Sequence, residues 1–399
     1  MNLSSLKSHD FRLYLFGNFI FLNGMWIQRI VLGWLAWELT QSASYVGFIA
    51  FIGLAPTLLS GPFFGVIADR VNIKQAALFT YGAFIICSTL LYLVTLYNLL
   101  NPFILSVFCL IIGVIASANH PIRMSLAPRL VNQAQLPSVI ALTSLNFNTS
   151  RLIGPAIGGL SIQFTNTNMT MLLTILFCLP ISLIISFLNP RLIETEKKII
   201  RKSIFSSLLD GAKLVAAHKI IKFAILFSGL TAFIGRGTLE TLPVITEGIY
   251  SKGPSGLGII TASAGGGAII AALFKVLMPS HRGGKLPLDG IVASILIPMA
   301  ILLLGFATHF SHAVGLIFIL GISTSIVGIS MQSSIQMELT DEYRGRVMSI
   351  WTMISMGSAA FGALLMGFIS DLIGIIKTQI LLGIIFTLLL CLILNQIFE

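Results

Sequence analysis

Gly65-Val66-Ile67-Ala68-Asp69-Arg70-Val71-Asn72-Ile73-Lys74 separates two long apolar runs, residues 45–68 and 76–97. A charged stretch this short leaves no room for a soluble excursion. It predicts a tight hairpin between two segments that are each long enough to cross a bilayer, which takes about 20 residues. The same alternation continues in both directions. Hydrophobic residues make up 56% of the chain and charged residues only 10%, against about 25% charge in a soluble domain. Backbone polar groups in hydrocarbon must be satisfied internally, which leaves helices or closed barrels. Barrel strands alternate apolar and polar residues, and these runs do not. Twelve helical spans are predicted, at 13–38, 45–68, 76–97, 101–120, 138–164, 170–189, 221–246, 256–278, 289–309, 314–337, 347–371 and 378–397. The first follows a polar start and lacks a small-residue cleavage site, so it is expected to be a retained span.

The hairpin resembles the loop between spans 2 and 3 of the major facilitator superfamily, whose pattern is Gly-x-x-x-Asp-Arg-x-Gly-Arg-Arg/Lys. Gly65, Asp69, Arg70 and Lys74 match it, while Asn72 and Ile73 depart from it. The resemblance implies a membrane transporter. It also implies that Gly65, Asp69, Arg70 and Lys74 gate the cytoplasmic side by bridging helix ends. Charges placed against helix termini contribute about 0.3–1 kcal/mol each, small enough to break in every cycle.

Lysine and arginine set the orientation. With the amino terminus in the cytoplasm, 19 of the 24 basic residues fall in inner segments, among them Lys7, Arg12, Arg70, Lys74, Arg123, Arg129, Arg344 and Arg346. Outer turns hold Lys252 and Lys377, and Arg29, Arg151 and Arg236 fall inside spans. Both termini are therefore expected to be cytoplasmic in a multi-pass protein of the cell inner membrane. The net charge of +10 is a topology signal and not a nucleic-acid surface. The four cysteines, Cys87, Cys109, Cys178 and Cys391, lie on different spans with neither disulfide nor zinc spacing.

The longest polar stretch, residues 190–220, divides the chain into an amino-terminal six-helix bundle (1–189) and a carboxy-terminal one (221–399). Within it Ile204, Phe205, Leu208, Leu209, Ala212 and Val215 form one face of an amphipathic helix, expected to lie on the anionic inner leaflet. A gapless shift of 208 residues lays Gly82 on Gly290, Gly113 on Gly321, Gly154 on Gly362 and Gly159 on Gly367. The expected fold is thus an all-α membrane protein of twelve transmembrane helices in two pseudo-symmetric bundles. Such parallel repeats place a substrate site near the bilayer midplane between the halves.

Span 5 reads Ala141, Ser150, Gly154-Pro155 and Gly158-Gly159. It resembles the superfamily's antiporter motif, with two of its glycines replaced by other small residues. Small residues admit close helix packing and Pro155 loosens the helix, so Gly154 and Pro155 join the gating residues. Three stretches resemble the branch that holds macrolide efflux pumps and enterobactin exporters. They are Trp34-Leu35 to Ser42, Pro121-Ile122-Arg123 through Pro128-Arg129 to Arg151-Leu152-Ile153-Gly154-Pro155, and Tyr343-Arg344-Gly345-Arg346-Val347-Met348-Ser349. Arg344 and Arg346 are counted with the gate. The loop Ser280-His281-Arg282-Gly283-Gly284-Lys285 keeps a degenerate copy of the hairpin motif.

Charges within spans carry the most functional information, since each costs at least about 2.5–3.5 kcal/mol at the centre of an isolated helix. Arg29 follows Asn18, Asn23 and Gln28 on span 1; Arg236 precedes Glu240 by one turn on span 7; Arg151 lies near Asn146, Asn148 and Ser150 on span 5. In the superfamily spans 1 and 7 face each other across the cavity, so Arg29, Arg236 and Glu240 are expected to converge on one water-filled site. Guanidinium groups bind carboxylates bidentately, which suits an anionic or multiply hydroxylated ligand. Glu240 is the expected proton carrier, because burial favours the neutral carboxyl and a neighbouring arginine the ionised one. An Arg236–Glu240 pair on one helix turn is the structural alternative. Asn23, Gln28, Asn146, Gln332 and Gln336 are the further substrate-binding candidates.

No Gly-x4-Gly-Lys-Ser/Thr, HExxH or Gly-x-Ser-x-Gly occurs, so no enzyme, cofactor or metal site is expected, and energy comes from an ion gradient. His309 and His312 are expected to be solvated loop residues. The expected function is secondary active export of a small, anionic, siderophore-like metabolite by proton antiport, by a monomer whose partners are its substrate, protons and the bilayer. Import of such a ligand, macrolide or multidrug efflux, and a non-transporting membrane sensor are the other readings of the same residues.

Overall fold

The computed structural model describes residues 4–191, 204–278 and 284–398. Side chains of 59–63, 65–70, 204–208, 341–342, 344–345 and 396–398 are outside the description. The side chains of the gate residues Gly65, Asp69, Arg70 and Arg344, and the loop residues Ser280 to Gly283, therefore lie beyond it.

Short polar caps start the helices where the apolar runs begin. Helix α1 (His9–Thr40) is capped by Ser8, whose Oγ accepts from Phe11 N at 3.3 Å, and it ends at Gln41 in the left-handed region, φ 50°. Helix α2 (Ala43–Arg70) continues through the charged hairpin stretch, so the turn itself is only Val71 and Asn72. Asn72 Oδ1 accepts from Lys74 N at 3.1 Å and Gln75 N at 3.3 Å, which caps α3 (Ile73–Leu96). Ile73 is buried. The two departures from the hairpin pattern thus make a cap and a core contact. Asn101 and Pro102 start α4 (Pro102–Leu126), α5 spans Leu136–Phe164, and Asn166 caps α6 (Thr167–Phe187).

Helix α7 (Ile204–Ala217) occupies the polar stretch. It packs on a later helix, α14 (Asp341–Ile373): a Cβ on Gly211 would meet Ile350 and Arg346 at 3.0 and 3.2 Å, and Arg346 Nη1 lies 4.0 Å from Asp210 Oδ2. Leu214 and Val215 pack against the core and Leu209 stays exposed, so only part of its apolar face is free to meet lipid. The chain continues through α8 (Lys219–Thr231), α9 (Gly237–Glu240), α10 (Leu242–Gly248), α11 (Gly253–Leu277), α12 (Leu288–Leu304), α13 (Phe310–Met337), α14 and α15 (Ile375–Phe398). Among the described residues nine helical segments are long and apolar enough to cross a membrane. The described part of α2 and α12 are shorter, and α5 carries Asn146, Asn148, Ser150 and Arg151 midway.

Helix α1 packs on α5 and α6, and α3 on α4 and α6; later, α13 packs on α11 and α12. Two seams join early helices to late ones, α2 against α14 and α5 against α11. Among the described residues both come closest at the end away from the termini. A Cβ on Gly159 would stand 2.5 Å from Pro254 O and 2.6 Å from Gly258 Cα, and one on Gly47 would stand 2.3 Å from Ala363 O. Only glycine permits these approaches. At that end Asp371 of α14 caps α2: Ser42 Oγ donates at 2.7 Å, Ala43 N at 2.8 Å and Ser44 N at 2.9 Å. A carboxylate at a helix amino terminus is favoured by both hydrogen bonding and the helix dipole. Asp371→Ala is expected to loosen this end by about 1 kcal/mol, making a cysteine at the buried Val46 react about fivefold faster with a thiol reagent in a background lacking the native cysteines. An unchanged labelling rate would contradict the latch.

Candidate functional site

The stretch predicted as one continuous span at 221–246 is broken. Between α8 and α9 the chain makes a π turn, Ala232–Arg236, in which Gly237 N–H donates to Ala232 O, five residues back. Thr241 then leaves helical geometry and Pro243 opens α10 without a donor of its own. The break is clamped from outside: a Cβ on Gly362 of α14 would stand 1.9 Å from Phe233 O, and one on Gly237 would stand 2.9 Å from Gly362 C. Such turns recur at functional sites because they redirect side chains. Here Arg236 closes the π turn and Glu240 ends the short helix after it. Gly235, Gly237 and Pro243 were the sequence signal for this break.

Redirected in this way, Glu240 pairs with Arg29 of α1 and not with Arg236, its neighbour one turn back: Arg29 Nη2 donates to Glu240 Oε1. The pair joins the early helices to the late ones. The Arg29 side chain is 43% exposed and that of Glu240 16%, so the pair faces open space within the helix assembly. Arg151 lies within electrostatic range of Arg29, Arg236 and Glu240. Of the expected convergence of Arg29, Arg236 and Glu240, Arg29 and Glu240 meet directly, while Arg236 makes its side-chain contacts in a separate pocket. Three guanidinium charges against one carboxylate leave a surplus of positive charge.

Trp26 was not among the sequence candidates, and it organises the cluster. Arg29 Cζ lies 5.4 Å and Arg151 Cζ 6.0 Å from its ring centroid, the range of cation–π contact. Trp26 stands three residues before Arg29, one helical turn on the same face. Arg236 points the other way, into a pocket with Ser228, Thr231, Thr324, Trp351 and Ser355. Trp351 Nε1 donates to Ser228 Oγ at 3.1 Å there, and Arg236 Nη1 reaches Met356 Sδ at 4.0 Å.

The amide candidates divide. Asn23 is buried and its Nδ2 donates to Phe19 O at 2.8 Å and to Ser150 Oγ at 3.2 Å. Asn146 Nδ2 donates to Leu15 O at 2.8 Å. Both join α1 to α5. Gln28 is 2% exposed and has no hydrogen-bond partner on either terminal atom. Gln332 is half-buried and Gln336 exposed near the end of α13, without a hydrogen bond to the charged cluster among the described residues. Gly154 packs under Trp26 and Asn23, and Pro155 O faces Gly258. Lys74 is half-buried in the first turn of α3, and Arg346 Cζ stacks 5.2 Å from the Tyr343 ring centroid. Gly159→Val is expected to drive the α5–α11 seam apart, with a fall in melting temperature of the purified protein of several degrees, since overpacking costs about 1–3 kcal/mol; an unaltered melting curve would show a looser seam.

Residues 1–399 match a family described as transmembrane secretion effectors. The staphyloferrin A transporter of Staphylococcus aureus is 25% identical over 384 residues, covering 92% of this chain and 91% of that protein. Macrolide efflux protein A of Streptococcus pyogenes is 22% identical over 354 residues, covering 89% and 87%. Among solved structures the nucleoside transporter NupG superposes with a TM-score of 0.76 at 13% identity, over 98% of this chain and 99% of that one. A bacterial homologue of the lysosomal transporter Spinster superposes with a TM-score of 0.74 at 12% identity, over 96% and 95%.

Proposed function

This chain belongs to the transmembrane secretion effectors, in the siderophore and macrolide efflux branch of the major facilitator superfamily, and from that premise we propose that it exports a small organic anion, siderophore-like in its carboxylates, in exchange for protons. It is a membrane transporter and not an enzyme. Twelve spans in two six-helix bundles, one on each side of the α7 stretch, form the transport unit, a monomer in the cell inner membrane with both termini cytoplasmic. The end sealed by Asp371 and Gly159 is then the outer one, and the Arg29–Glu240 pair lies at the head of a cavity that opens inward. Gly65, Asp69, Arg70, Lys74, Arg344 and Arg346 close the inner side in the opposite state, while Gly154 and Pro155 let α5 tilt.

The observation that carries this reading is the ion pair between Arg29 and Glu240, held between an early and a late helix in the neighbourhood of Arg151 and Arg236, which form no ion pair among the described residues. Ions at membrane depth persist where they line a cavity or a pathway. A ligand carboxylate takes the place of Glu240 on Arg29, with Arg151 and Arg236 as further anion contacts and Gln28, Asn23, Asn146, Gln332 and Gln336 as neutral ones.

The sign of coupling follows from the same pair. Protonating Glu240 dissolves the bridge and frees Arg29. An anion on Arg29 alone would therefore bind together with the proton. Exchange requires that the ligand also donate to Glu240, through a hydroxyl or ammonium group, so that the carboxylate stays ionised while the ligand is bound. A carboxylate beside such a donor is the expected ligand chemistry.

The test compares cells with and without the protein by mass spectrometry of organic acids in medium and cytosol. Export enriches a carboxylate-rich metabolite outside and depletes it inside. Enrichment inside would establish import, and no change in either compartment would establish a sensor. Macrolide efflux, favoured by the Streptococcus relative, would instead lower cellular macrolide without moving any acid.

A further inference from the structure

The first 191 residues contain only three carboxylates, Asp10, Glu38 and Asp69, and neither α4 nor α5 carries one. Yet α4 holds Arg123 and α5 holds Arg151. Arg123 forms no ion pair among the described residues, and its Nη1 is buried without a hydrogen-bond partner. A buried guanidinium nitrogen that donates to nothing is costly unless an acceptor arrives from outside. Arg123 Cζ lies 5.9 Å from the Phe147 ring centroid. Phe147 stands edge-on to Trp26, at 5.9 Å and 61°. Trp26 in turn carries Arg29 and Arg151. The order is cation, ring, ring, two cations, contributed by three helices.

We propose that Arg123, Phe147 and Trp26 form an anion-binding ladder into the central arginines, and that it selects ligands bearing more than one carboxylate. Arg123 lies within one turn of the end of α4, on the side of the termini, so it meets a ligand before the central site does. The aromatic faces hold the guanidinium planes and space the cations, while the N–H edges remain free to fork a carboxylate. A ligand long enough to touch both stations has one carboxylate on Arg123 while another reaches Arg29 and Arg151. A monocarboxylate engages one station only. This inference rests on the anionic reading of the central cluster.

Calorimetric titration of the purified full-length protein tests it with butyrate, glutarate and tricarballylate, which differ in carboxylate number. Affinity is expected to rise along that series. Arg123→Gln and Phe147→Leu are expected to weaken tricarballylate about tenfold and leave butyrate unchanged within about twofold, and Arg123→Lys to recover part of the loss. Circular dichroism melts matched to the unsubstituted protein exclude misfolding as the cause. If Arg29→Gln loses tricarballylate while Arg123→Gln binds it as before, the ladder is wrong and the central site stands. Equal or absent binding of all three acids by the unsubstituted protein would overturn both.

Discussion

Glu240→Gln is expected to abolish transport driven by a pH gradient while leaving ligand binding measurable. In proteoliposomes with the unsubstituted protein, acidifying the compartment into which the ligand is released accelerates its movement, because protons reaching Glu240 there remove the acceptor that holds the cargo's donor group. Glutamine keeps the shape and can still accept from Arg29, but it cannot exchange a proton. The rate should then become independent of pH, and concentrative transport should vanish. Passive exchange of ligand down its own gradient should continue. Retained pH-driven accumulation in Glu240→Gln would remove this carboxylate from the coupling mechanism. A full loss of ligand binding would make it a binding residue instead.

Arg29→Ala is expected to weaken anionic ligands by roughly a hundredfold and neutral ones by far less. Hydrogen bonds to charged groups are worth about 1.5–3 kcal/mol, and each 1.4 kcal/mol is a factor of about ten. The substitution removes the guanidinium that both Glu240 and the ligand use. It also leaves Glu240 without its ion-pair partner. The calorimetric series described above measures the effect directly, with the methyl ester of each acid as the neutral control. Equal losses for acid and ester would point to a structural role for Arg29. Arg236→Ala should be milder, since Arg236 makes its contacts in the side pocket with Met356, Thr324 and Trp351.

Hydropathy and local breakers settle membrane spans because they act within one segment. An apolar run must be helical in lipid wherever its neighbours lie, and Asn72, Asn101 and Asn166 cap the helices that follow them without help from distant parts of the chain. The membrane class, the hairpin position and the presence of Arg29, Arg236 and Glu240 within apolar helices were legible for that reason, and the superfamily was legible from the residues of the hairpin motif. The partners of those charges were not. Glu240 had Arg236 four residues away and Arg29 at a separation of 211 residues, and a regular helix would have favoured the near one. The π turn at Ala232–Arg236, pinned by Gly362 of another helix, turned the carboxylate toward α1. Trp26 looked like any aromatic on an apolar face until the assembly set two guanidinium groups against it. Asp371 read as the end of a span until α2 presented its amino terminus. Local free energy decides which segments become helices. Charge partners depend on how those helices close on one another, which is a property of the tertiary structure alone.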